Sequence, residues 1–76
     1  DLAHPDETLM QLGVQEIETL IASLPTGYRT IFTLYAIEGY SHAEIADLLA
    51  ISEGTSKSQL SRARALLQNQ LITLQL

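Results

Sequence analysis

Lys57, Ser58, Gln59, Ser61, Arg62 and Arg64 stand within about two helical turns of one another. Lysine and arginine attract phosphates. Glutamine and arginine make paired hydrogen bonds to adenine and guanine edges. Serines are short donors that let a helix lie close to a nucleic-acid backbone. Just upstream, Ser52, Glu53 and Thr55 mark a helix start, whose unpaired N–H groups suit a phosphate. A helix with this surface in the major groove does the work of a recognition helix. By residue type alone, the same surface is also an ordinary solvated face.

Other chemistries are poorly served. The 76 residues include no cysteine, so neither a disulfide framework nor a thiolate zinc site is available. The two histidines, His4 and His42, are far apart, and no metal site is expected. Glu16 and Glu18, at i and i+2, point to different sides of a helix. Ser61 has no base nearby and no glycine elbow, so it is no nucleophile. We therefore expect no catalytic residue, no cofactor and no enzyme activity. The longest apolar runs are a few residues, too short to insert in a membrane.

These residues need elements to position them. Met10, Val14, Ile17, Ile21 and Leu24 recur at helical spacing, with Asp6 as candidate N-cap and Gly13 as a weak point inside. Pro25 or Thr26 to Glu38 reads as a second helix, burying Tyr28, Ile31, Phe32 and Tyr35 and ending at Gly39, where a positive φ is required. Ser41-His42-Ala43-Glu44 is a capping box opening a short third helix, with Ile45, Leu48 and Leu49 on its apolar side. Ile51 plugs a tight turn, and Ser52 caps a long fourth helix. Along that helix Leu60, Ala63, Leu67, Leu71 and Leu74 form one stripe. The class is all-α: a four-helix domain with a C-terminal helix-turn-helix. Residues 1–8 read as a linker, 9–76 as the domain, and about 41–68 as the helix-turn-helix.

The residues at this point carry a resemblance. Leu24-Pro25-x-x-Tyr28-Arg29 leads into Glu38-Gly39-Tyr40-Ser41-x-x-Glu44-Ile45-Ala46. Ile51-Ser52-Glu53-Gly54-Thr55-Ser56-Lys57-Ser58-Gln59-Leu60-Ser61-Arg62-Ala63-Arg64 follows. Over about residues 22–68 this resembles region four of the extracytoplasmic-function (ECF) sigma factors of the sigma-70 family. The chain departs from the usual pattern at three positions. Ser56 stands where the family has a valine packed beneath the recognition helix, Gln59 where it has a DNA-facing arginine, and Ala50 where it has the turn glycine.

The resemblance implies a DNA-binding domain that recognises the −35 promoter element and docks on the β-flap of RNA polymerase core during transcription initiation. It implies the bacterial cytoplasm, and an anti-sigma factor as a further partner. Carried over by position, Lys57, Ser58, Gln59, Ser61 and Arg62 meet DNA, with Glu53 and Thr55 at the helix start and Ser41 and His42 approaching a phosphate. Two other readings share the layout: a LuxR-type response-regulator helix-turn-helix, and a protein-interaction module on the same scaffold.

Charge placement fits the DNA reading better than its total. The net charge is −5. All nine acids lie at or before Glu53, where Arg29 is the only base, a net of −8. Residues 54–76 hold Lys57, Arg62 and Arg64 and no acid, a net of +3. Such asymmetry points to a polyanion-facing end.

Overall fold

The protein is seen here as a computed structural model that describes residues 13–75. The expected linker over 1–8, the Asp6 cap, Met10 and the side chain of Leu74 lie outside the described residues. The described helices are α1 (Val14–Ala22), α2 (Thr26–Phe32, continued by a π-helical turn, Thr33–Ile37), α3 (His42–Leu49) and α4 (Glu53–Gln75). The described chain holds no strand, and the all-α class stands.

Gly13 caps α1 rather than interrupting it. Its backbone is extended, and its N–H donates to Glu16 Oε1 at 3.0 Å. The stripe α1 turns inward is Ile17, Leu20, Ile21 and Leu24, at i, i+3, i+4 and i+7. Val14, expected in that stripe, is exposed because the inward face begins one turn later. Pro25 separates α1 from α2 and serves as the N-cap of α2. The Arg29 guanidinium donates to the Ala22 carbonyl at 3.3 Å, placing a cation where α1 leaves its carbonyls unpaired.

The segment expected as one regular helix to Glu38 widens after Phe32. The Glu38 N–H reaches the Thr33 carbonyl, five residues back, at 3.0 Å. The widened turn leaves three consecutive residues, Leu34, Tyr35 and Ala36, partly buried against the core. Gly39 then takes φ 82°, as its position requires, and the Tyr40 N–H closes on the Leu34 carbonyl.

The core is one cluster built around α4. Leu60, Ala63, Leu67 and Leu71 meet Leu20 and Leu24 of the α1 segment, Ile31 and Phe32 of α2, and Ile45 of α3. Burying a side chain of leucine or phenylalanine size contributes about 1.5–3 kcal/mol. Ala63, with no exposed surface, is small enough for neighbouring helices to approach closely. Only Ile45 and Ala46 of α3 are buried. Leu48 and Leu49, expected on the apolar side, are exposed because no described element covers the last turn of α3.

Ala50 ends α3 in the left-handed region, at φ 56° and ψ 46°. That conformation lets the Ile51 N–H bond the Ala46 carbonyl at 3.0 Å and seats Ile51, half-buried, against the core. An L-residue with a Cβ is strained here. Ala50→Gly should therefore stabilise the fold by about 0.5–1 kcal/mol, the relief of strain less the entropy of glycine. A urea unfolding midpoint that rises checks this; one that falls shows that Ala50 is not held in this conformation.

Candidate nucleic-acid interface

Two capped helix starts build the site. At α3, Ser41 Oγ accepts from the Glu44 N–H at 3.1 Å, and the Ser41 N–H donates back to Glu44 Oε1 at 2.8 Å. Both halves of the capping box are present. At α4, Ser52 Oγ accepts from the Thr55 N–H at 3.0 Å and donates to Thr55 Oγ1 at 2.9 Å. Ser58 Oγ donates to the Thr55 carbonyl, which leaves its lone pairs outward. The Ser41 and Ser52 hydroxyls each satisfy an N–H that the helix start leaves unpaired.

With Ser56, Leu60, Ala63, Leu67 and Leu71 turned inward, successive steps of 100° place every other α4 side chain. Thr55, Ser58 and Arg62, at i, i+3 and i+7, form one outward line, in which Ser58 and Arg62 point most directly away from the core, and all three are exposed. Lys57, Ser61 and Arg64 follow one flank. Gln59, half-buried, lies on the other. Glu53 is exposed in the first turn. The residues expected at DNA therefore wrap the outer half of the helix rather than sharing one stripe. A helix about 10–12 Å across fills a major groove about 12 Å wide.

His42 is tied more firmly than its expected solvated or phosphate-facing position requires. Its Nδ1 lies 2.9 Å from the hydroxyl of Ser56, which is fully buried. Its ring stacks on Tyr35, with centroids 4.5 Å apart and planes 22° apart. The Arg64 guanidinium lies over the same tyrosine, 5.6 Å from its centroid. Sequence reasoning counted Arg64 among the cations of the DNA-facing surface but gave Tyr35 and Ser56 no place in the site. One signal was available: a hydroxyl at a core-packing position needs a partner, and His42 supplies it across the turn.

Among the described residues, no three His, Asp or Glu side chains come close enough to hold a metal ion. No described helix is long and apolar enough to cross a membrane.

Comparison with known proteins agrees with this geometry. The family described as "Sigma-70, region 4" matches residues 14–67. The chain belongs to that family. It is similar to the ECF RNA polymerase sigma factor SigW of Bacillus subtilis, 35% identical over 68 residues, which cover 88% of this chain and 36% of that protein. It is similar to the ECF RNA polymerase sigma-E factor of Haemophilus influenzae, 29% identical over 93% of this chain and 38% of that protein. A probable RNA polymerase sigma factor, RfaY, of Xanthomonas campestris is 38% identical over 70% of this chain and 13% of that protein. The chain thus spans well under half the length of these relatives. No solved structure matches it closely. The helix-turn-helix is accordingly a DNA-binding domain of the ECF sigma-factor kind, and the response-regulator reading finds no support.

The capping box gives the site a pH dependence. The two hydrogen bonds from Ser41 hold the Glu44 carboxyl below its ordinary value, the backbone one contributing most. A depressed carboxylate stabilises the fold at neutral pH, and that contribution is lost as pH falls through the depressed value. Glu44→Gln keeps a capping side chain but not the charge. Wild type should be the more stable of the two at pH 7, and the gap should narrow as pH falls through the depressed value of the carboxyl. Thermal unfolding of both proteins across this fall in pH measures it; a gap that does not change with pH refutes the assignment.

Proposed function

We propose that this domain recognises the −35 promoter element by placing α4 in the major groove, as the promoter-reading part of a sigma factor in transcription initiation. The observation that carries the reading is the outward line of α4. Thr55, Ser58 and Arg62 stand together there, on a helix whose opposite side is locked into the core. Arg62 is the side chain suited to a paired contact with guanine. Lys57, Ser61 and Gln59 address the groove walls from the flanks. Ser41, His42 and the capped start of α4, with Glu53 in its first turn, lie toward the backbone. The domain's role is binding and positioning, not turnover.

RNA polymerase core is the protein partner in this reading, through its β-flap, and the cytoplasm is its place of action. The exposed apolar side chains of Ile37, Leu48 and Leu49 support a protein contact beside the DNA-facing helix. An anti-sigma factor would use the same kind of surface. The acidic residues before Glu53 stay off DNA or face a protein.

Anisotropy titration of the chain with a −35-type duplex tests the reading. Three cations on α4 set a shallow salt slope, about −3 in log K against log salt. Arg62→Ala should cost about tenfold in affinity and relax preference at one base pair. Lys57→Ala should weaken all sequences alike and reduce the salt slope by about 1. Two variants that bind like wild type would remove α4 from the DNA.

A further inference from the structure

The flank of α4 that faces the start of α3 is not flat. His42, Lys57, Ser61, Arg64 and Gln68 line a cleft of about 380 Å³, with Leu60 in its wall. Its described lining brings an ammonium, a guanidinium, a hydroxyl, an amide and an imidazole to one space, with no carboxylate among those residues. A water takes about 30 Å³ in the liquid. The cleft therefore has room for a small anion together with bridging waters.

The two ends of the cleft are held by one ring. Tyr35 carries the His42 imidazole stacked on it at 4.5 Å, and Arg64 lies over it at 5.6 Å. The π-helical turn after Phe32 is what brings Tyr35 here, and such turns are frequent at functional sites. Ser56 supplies a second restraint. Its buried hydroxyl engages Nδ1 of His42, so Nε2 is the ring atom left for a ligand. A hydroxyl in a small apolar core is a poor choice for packing alone. It is a good one for fixing an imidazole.

We propose that this cleft seats one phosphate group of the DNA backbone, with Arg64 and His42 as its ligands and Tyr35 and Ser56 as positioning residues. The proposal rests on the reading of α4 in the major groove. It adds a defined phosphate seat for Arg64, already counted among the α4 cations, and two positioning residues, Tyr35 and Ser56, that the DNA-facing set did not include.

Ser56→Val is the discriminating variant. Valine is apolar, suits a buried position and removes only the partner of Nδ1; Ser56→Ala serves if the added bulk overpacks. The thermal midpoint should hold or rise while duplex affinity falls about threefold, the cost of ordering one freed side chain. Arg64→Gln should fall about tenfold, as expected for losing a hydrogen bond to a charged group. Each protein is then titrated with duplexes carrying a single uncharged methylphosphonate at successive positions. At one position wild type should lose affinity while Arg64→Gln and Ser56→Val lose little more. Tyr35→Phe should match wild type and Tyr35→Leu should follow Arg64→Gln. If Arg64→Gln and Ser56→Val are weakened equally at every phosphate position, the seat is refuted.

A second arm separates the seat from the promoter reading. Inorganic phosphate is titrated into the wild-type chain while the NMR signals of the His42 ring and the Arg64 side chain are followed. Shifts confined to those groups without duplex binding end the promoter reading and the DNA-phosphate seat together, and leave a site for free phosphate alone. Duplex binding with no single sensitive phosphate and no such shifts keeps the promoter reading and ends the seat. Silence in both ends both.

Discussion

One stripe of α4 holds this domain together. Ser56, Leu60, Ala63, Leu67 and Leu71 are turned inward along almost the whole helix, and every other described helix packs on it. A chain of this size buries only about 60% of the surface it exposes when unfolded. There is no second core to fall back on. The rotation of α4 about its axis is therefore fixed by packing, and the identity of its outward residues follows from that rotation. Affinity for DNA begins as a consequence of where leucines go.

Much of this was legible because it is written in local chemistry. Ser41 and Glu44 announce a capping box by type and spacing, Gly39 announces a positive φ, and Ser52 announces the start of α4. Each involves residues within a turn of one another. The helix-turn-helix followed from those signals and from the family resemblance. What escaped was long-range or irregular. The π-helical turn has no composition of its own, since Thr33–Ile37 would suit a regular helix. The exposure of Leu48 and Leu49 depends on where neighbouring helices stop. The partner of Ser56 lies fourteen residues away across a turn. Periodicity in one helix cannot read any of these.

The acidic total is also resolved by position. Glu44 is occupied in a cap and Glu53 stands in the first turn of α4, where a carboxylate favours the positive helix end. Neither lines the cleft beside α4. The remaining charges of that helix are all positive beyond its first turn. A chain repelled by polyanions on average thus keeps one attractive face, and at low salt the repulsive front favours one orientation of approach over the others.

The π-helical turn has a consequence for how this segment tolerates change in length. A π turn is in effect one extra residue absorbed within a helix. Removing a residue between 33 and 37 would restore the regular repeat without breaking the helix. Side chains beyond the turn would keep their direction, while those inside it, Tyr35 among them, would be reset. The core side of the segment could survive this, since Ile31 and Phe32 precede the turn. The ring that joins α2 to α3 and α4 could not keep all of its neighbours. The segment is thus forgiving as a piece of helix and unforgiving as the mount of that ring.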